Sequence, residues 1–540
     1  MKLRRNVVKK EIKVKLKKPV KKRLKTSIHK LGLDRYGLQE RIARKEGTVP
    51  YLFGLLISYI SISFLVPMSV ALFYGEDPRP WIYPWLLTTM VGIPLVLRYK
   101  SSVTTRPTEA ILVLTTGWFV ATIFGAIPFV MYGMGPLDAM FETLSGFTTT
   151  GATIMLDIES WPKSLLLWRS FVQWLGGAGI VMIFVTIFPM LGVAGRNLVR
   201  NETTGMDTQN VTLRVQAEAK KFHLIYLGLS LAQLGLLLLT GIGIYDASTV
   251  VFSTMSTGGF SPHTRSIEYF NDPVVEWIII VFMFLAGTNF YLHFQAIASR
   301  SARTYWRNSE FRTYALLVVL FSAVGAALLW GDYGGGVEAN IRASTFQMLS
   351  VMTSTGFATT DFSIWSTSLL FMLFALMVIG GSSGSTAGGL KVIRFVISRK
   401  FIAASLYKTV HPKAIFSIKL DGRILGENTV SSLMAVVMCY LGTIGACTVA
   451  LALMGIEPMV SLSAAMTAVS NAGPALGSLG PMGTFGLLPD PAKMVLMFAM
   501  WAGRMEFLTA FAILTPAFWR ELLRYKSKDE AFSRLPELQK

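Results

Sequence analysis

The chain reads as an all-α polytopic membrane protein. It is built from four covalent repeats of span, short helix and span around a pseudo-fourfold axis, preceded by an extra helix pair. Three observations predict this. Of its 540 residues 52% are hydrophobic and only 15% charged, with a mean hydropathy of +0.51. Ten stretches of membrane-crossing length recur along the chain. Between four pairs of them lie brief Ser/Thr/Gly-rich segments that match one another. A soluble chain carries about a quarter charged residues, so this composition cannot cover several soluble domains. So high an apolar content also excludes a disordered chain.

In order, residues 1–46 form a basic arm with 18 Lys/Arg against 4 acids. Its length and polarity do not fit a signal peptide. A like-charge block poor in aromatics reads as a tail attracted to anionic lipid headgroups, not as a nucleic-acid platform. The extra helix pair occupies 47–105, with spans at 51–73 and 81–97. Repeat one (106–200) has spans at 108–133 and 164–194, and repeat two (201–305) at 222–245 and 273–298. Repeat three (306–415) has them at 313–331 and 366–398, and repeat four (416–520) at 429–455 and 491–517. A tail, 521–540, closes the chain. About 20 apolar residues rising about 1.5 Å each cross roughly 30 Å of hydrocarbon. Cys439 and Cys447 share one apolar segment, so they read as buried thiols and exclude a disulfide framework.

Ten spans put both termini on one face. That face collects 44 Lys/Arg and 15 acids, net +29. The other has Arg79, Lys163, Arg169, Arg265, Arg342 and Lys493 against 15 acids, net −9. Arg504 and Glu506 fall inside the last span. By the positive-inside rule both termini are cytoplasmic. The formal +20 of the whole chain therefore marks orientation. The acids of the outer rim either concentrate cations there or simply solvate the outer loops.

The four matching segments are LSGFTTTG ending at Gly151, VFSTMSTG at Gly258, LSVMTSTG at Gly356 and MTAVSNAG at Gly473, spaced 107, 98 and 117 residues apart. A hydroxyl or amide residue stands two before each glycine: Thr149, Ser256, Ser354 and Asn471. Helix-like runs precede them, two starting at the N-cap-like acids Asp138 and Asp246. Repeats at such a period indicate one structural unit copied. Irregular backbone at membrane depth is tolerated where protein buries it or where it lines a watery cavity. A short helix descending from the outer face aims its partial negative end at the membrane centre. The glycine then lets the backbone turn carbonyls inward. Four such loops make a ring of oxygens able to replace the water shell of a monovalent cation, and the absence of carboxylates in them argues against a divalent site. The plain alternative is small-residue helix packing.

These residues are similar to those of the bacterial Trk/Ktr/HKT superfamily of potassium transporters, and most closely to its Trk-type membrane subunit. The resemblance covers roughly 50–525 and rests on FETLSGFTTTGAT (141–153), STGGFSPHT (256–264), TSTGFATTDF (353–362), SNAGPALGS (470–478), WRSFVQWLGGAGI (168–180), GGSSGSTAGGLKVIR (380–394) and GRMEF (503–507). It implies that Gly151, Gly258, Gly356 and Gly473 are selectivity-filter glycines, preceded by Thr150, Thr257, Thr355 and Ala472. In the family four glycines go with potassium and a serine in the first loop with sodium, so Gly151 implies potassium as substrate. The fourth loop departs from the usual GPGLG at Ala475, and the second at Pro262 and Thr264.

The eighth span carries GGSSGSTAGG at 380–389. Glycine costs about 1 kcal/mol per helix position, so the helix should break there and line a cavity below the ring. Gly380, Gly381, Ser382, Ser383, Gly384, Ser385, Thr386, Gly388 and Gly389 are gate candidates, the alternative being close packing through glycine. In the family the arginine matching Arg504 lies beside the intramembrane gate. A buried arginine is costly unless paired or facing water, and Arg504 is expected to bond the loop's freed carbonyls, the alternative being a salt bridge to Glu506. Lys391 either adds positive potential or marks the membrane boundary.

No Walker A, GxGxxG or His/Cys metal spacing is present, and the five histidines form no ligand set. Enzymatic function and organic cofactors are not expected. The resemblance implies a multi-pass inner-membrane protein, a homodimer seated on a cytoplasmic ring of nucleotide-binding regulatory subunits. The basic segment 391–428 is a candidate docking surface for that ring or ordinary positive-inside bias. Channel-like flux and symport both remain open, as do a sodium-selective or poorly selective transporter and a non-transporting membrane sensor or scaffold.

Overall fold

The computed structural model describes residues 45–100, 107–191, 208–330, 336–413 and 417–523. The basic arm up to residue 44 and the tail from 524 lie outside the described residues. Helices α1 (Thr48–Ser63) and α2 (Leu65–Tyr74) join into one 27-residue span, and α3 (Arg79–Arg98) returns beside it. A two-residue parallel ladder, Lys45–Glu46 with Tyr99–Lys100, ties the ends of this pair. Trp81 fastens it to repeat one: its ring packs on Trp168 at 6.0 Å, and its indole N–H donates to Ser164 Oγ at 3.0 Å.

Repeat one consists of α4 (Pro107–Met131), α5 (Pro136–Phe147) and α6 (Lys163–Leu191). Repeat two has α7 (Thr208–Leu239), α8 (Ile244–Met255), α9 (Pro273–Ala286) and α10 (Phe290–Ser299). A connector, α11 (Arg303–Arg307), leads to repeat three: α12 (Ser309–Leu329), α13 (Val337–Met352), α14 (Thr367–Ile379) and α15 (Val392–Val410). After a small hairpin pairing Lys419–Leu420 with Arg423–Ile424, repeat four has α16 (Glu427–Leu453), α17 (Pro458–Ser470), α18 (Asp490–Arg504) and α19 (Leu508–Ala512).

Among the described residues six helices are long and apolar enough to cross a membrane, seven if the bent α9–α10 pair is one span. These six are the extra pair and the first helix of every repeat. The expected spans 273–298, 366–398 and 491–517 are not continuous helices. The first bends by 94° after Ala286, where the Asn289 carboxamide caps a new helix by accepting from Tyr291 N at 2.8 Å. The second opens into the Gly-rich loop, as its glycines demand. The third breaks at Glu506 and Phe507, whose φ values of 60° and 31° lie in the left-handed region. Hydropathy sums composition and does not register such turns.

The four short helices α5, α8, α13 and α17 run 12, 12, 16 and 13 residues. Their N-caps are Gly135, Gly243, Gly336 and Glu457. Asp138 and Asp246 are therefore not caps; they sit in the first turn, where a carboxylate still opposes the helix dipole. Two of the bases counted on the outer face are buried in the protein and paired with acids. Arg169 is buried against Glu142, and Lys493 is buried against Asp138 at 2.6 Å.

Candidate functional site

Each short helix ends in the same backbone turn, and this fixes the register between repeats. Thr149, Thr257, Ser354 and Asn471 adopt φ of 53°, 53°, 55° and 54°. The next residue donates its N–H five residues back into the helix: Thr150 to Ser145 O, Gly258 to Ser253 O, Thr355 to Ser350 O and Ala472 to Thr467 O, all at 2.8–2.9 Å. The following glycine is again left-handed: Gly151 at 81°, Gly259 at 81°, Gly356 at 78° and Gly473 at 86°. The second loop is thus displaced by one residue from the alignment made on sequence. Ser256 is the helix C-cap, equivalent to Thr148 and Thr353; Gly259, not Gly258, matches the other three glycines. Two adjacent glycines offered two alignments, and the helix end, invisible in composition, selects one.

These four glycines close a ring. A Cβ built on Gly151 would stand 2.1 Å from Gly258 O, on Gly259 2.0 Å from Thr355 O, on Gly356 2.6 Å from Ala472 O, and on Gly473 2.8 Å from Thr150 O. Each loop's glycine faces the carbonyl that precedes the glycine of the next loop, in cyclic order through all four repeats. Their φ already disfavours a side chain, and the spacing leaves no room for one. The same four glycines line a vestibule together with Thr153, Phe260 and Pro474.

Behind the ring lies a buried polar brace. Arg169 Nε donates to Glu142 Oε1 at 2.7 Å, the pair being 1% and 0% exposed. Glu142 also accepts from Ile154 N at 2.9 Å, and Arg169 donates to Ser261 O at 3.2 Å, so one ion pair ties the exits of loops one and two. Asn471 Nδ2 donates to Thr150 Oγ1 and to Met500 O, both at 2.9 Å, joining loops four and one. Sequence reasoning gave Glu142, Arg169 and Gln173 no role. Their only signal was position: an acid in a short helix and two polar residues four apart in an apolar span.

The Gly-rich loop passes under the ends of the short helices. Gly380, Gly384 and Gly389 have φ of 75°, 72° and 73°. Its neck is closed by Leu390 N to Val378 O at 3.0 Å and Val392 N to Gly381 O at 2.9 Å. Thr386 Oγ1 donates to Met255 O at 3.1 Å and Ala286 O at 3.2 Å. Gly388 N donates to Ser354 Oγ, and Gly389 N to Ser470 O at 2.9 Å. Ser382 N bonds Gly287 O at 2.9 Å, and Gly384 O accepts from Phe290 N at 3.1 Å across the break in repeat two. Ser385 Oγ turns inward to Ser382 O at 2.6 Å. The loop therefore contacts repeats two, three and four.

Three charged groups hold it. Arg504, 4% exposed, donates Nη1 to Thr386 O at 3.0 Å, while its Nε and Nη2 find no partner among the described residues. The alternative pairing with Glu506 does not form; Glu506 accepts from Arg394 on α15. Lys391 is buried, and its Nζ folds back onto Ala387 O. Glu310, a buried acid at the start of α12, accepts from Ser383 N and from Ile393 N, the latter at 3.2 Å, so it grips both ends of the loop. Sequence reading counted it only among the 15 acids of the inner face. An acid inside a helix start gives no sign that its partners lie more than 70 residues away.

Residues 82–326 and 336–519 match the family model described as TrkH, cation transport protein. The Trk system potassium uptake protein TrkH of Vibrio parahaemolyticus is 35% identical over 482 residues, covering 87% of this chain and 98% of that one. The protein of the same name from Escherichia coli K12 is 33% identical over 477 residues, with the same coverage. The crystal structure of the potassium transporter TrkH from Vibrio parahaemolyticus superposes with a TM-score of 0.80 at 32% identity, covering 87% of this chain and 99% of that one.

Proposed function

Because the chain belongs to the TrkH family of cation transport proteins, we propose that it takes up potassium through the four-loop ring, under the control of the Gly-rich loop. It is a multi-pass membrane protein and a transport protein, not an enzyme. Potassium sheds its water where the carbonyls of Thr150, Gly258, Thr355 and Ala472 converge, the partial negative ends of α5, α8, α13 and α17 offsetting the lost hydration. The filter set is Thr149–Gly151, Thr257–Gly259, Ser354–Gly356 and Asn471–Gly473. The loop at 380–389, held by Arg504 and Lys391, is the gate below it.

The observation that carries this reading is the cyclic closeness of each ring glycine to the next loop's carbonyl, since chance small-residue packing has no reason to repeat four times around one axis. The charge asymmetry supports an inner-membrane protein with both termini cytoplasmic. A homodimer on a nucleotide-binding regulatory ring completes the proposal, with segment 391–428 as its docking face.

Uptake into cells lacking their own potassium systems tests it. Growth is restored at low external potassium by the wild-type chain and lost with Gly151→Ser, whose side chain meets Gly258 O. No restoration from a chain that reaches the membrane overturns the reading.

A further inference from the structure

The four ring carbonyls are not equivalent. Among the described residues, those of Thr150, Thr355 and Ala472 accept no hydrogen bond, whereas Gly258 O accepts one from Gln173 Nε2 at 2.6 Å. The orientation of the carboxamide is set by its other end: Gln173 Oε1 must accept from Phe260 N, at 3.1 Å. Gln173 thus brackets Gly259 from both sides. It is fully buried, on α6 one turn from Arg169, which the Glu142 ion pair holds in place. In repeat four the corresponding described residue carries no side-chain amide. Gly176 packs on Phe147 O and Gly503 on Val469 O in the same way, so the residue three positions earlier, Gln173 in repeat one, corresponds to the apolar Met500.

Resting on the potassium reading above, we infer that Gln173 is a positioning residue for selectivity, acting through Gly258 O. Its N–H occupies one lone pair of that oxygen and sets a partial positive charge beside the ring. One quarter of the ring therefore presents a weaker field. In the field-strength account of selectivity, discrimination depends on the number and strength of the carbonyl dipoles. A stronger field favours the smaller ion, whose water is held more tightly. Gln173 biases the ring against sodium.

Full-length protein in liposomes tests this with Gln173→Met, which copies repeat four, and Gln173→Glu, which keeps an acceptor for Phe260 N and removes the amide donor to Gly258 O. Initial potassium and sodium fluxes are measured separately. Both variants are expected to keep potassium flux within about threefold while the potassium-to-sodium ratio falls about tenfold, about 1.4 kcal/mol. Flux that falls in Gln173→Met and returns in Gln173→Glu, with the ratio unchanged in both, assigns Gln173 to bracing alone and overturns the inference. Wild-type protein that does not favour potassium fails the potassium reading instead. The Gln173 inference is then decided by whether Gln173→Met changes the relative thermal stabilisation of the purified protein by potassium and sodium chloride; equal changes overturn it.

Discussion

The Arg504 guanidinium donates to the Thr386 carbonyl at 3.0 Å, joining the end of α18 to the middle of the Gly-rich loop. Thr386 in turn hangs from the ends of α8 and α9 through its hydroxyl. The central residue of this loop is thus held by a buried positive charge.

Arg504→Ala removes both the bond and the charge. The expected outcome is potassium flux raised several-fold per molecule in the membrane, with the potassium-to-sodium ratio unchanged. Initial-rate uptake normalised to membrane protein checks it; unchanged flux contradicts the gate role.

Glu310→Ala frees the backbone N–H groups of Ser383 and Ile393 at the two ends of the same loop. Each buried donor left unpaired costs about 1–3 kcal/mol. The loop's closed form should weaken, so basal flux rises as it does for Arg504→Ala, while ion preference stays the same. A change in preference without a change in flux counts against this placement of Glu310.

Glu142→Gln leaves Arg169 charged and unpaired in a site with almost no exposure. Breaking a buried ion pair from one side costs about 3–5 kcal/mol. Thermal unfolding in detergent should show a clear drop in midpoint, and Glu142→Gln combined with Arg169→Met should recover part of it. A single variant as stable as wild type contradicts a structural role for the pair.

Gly259→Ala places a methyl 2.0 Å from Thr355 O at a left-handed residue. Potassium uptake should be abolished. Gly258→Ala meets the Gln173 carboxamide first, from 2.5 Å, and should leave measurable uptake with altered ion preference. The reverse ranking restores the register read from sequence.

Much of this was legible in the sequence, and the exceptions have physical causes. The four Thr/Gly segments, the break at 380–389 and the isolated Arg504 announce themselves by composition in an apolar chain. The register of the second loop does not, because Gly258 and Gly259 are chemically identical and only the end of α8 separates them. The breaks near Asn289 and Glu506 escape hydropathy, since both segments remain apolar on average. Partners across the fold escape as well: Arg394 and Glu506 are 112 residues apart. Residues i and i+2 share no helical face, which argued against Arg504 as the partner of Glu506 without naming Arg394. The burial of Arg169 and Lys493 escapes for the same reason, because their acids come from α5.

The central claim is that four carbonyls, one from each repeat, select potassium. The most direct measurement is radiolabelled potassium flux into liposomes holding the purified full-length chain, with rising unlabelled sodium or potassium outside. The account predicts that unlabelled potassium competes strongly and sodium weakly, and that Gly151→Ser or Gly259→Ala removes the difference or the flux. Equal competition by the two ions in the wild-type protein contradicts it.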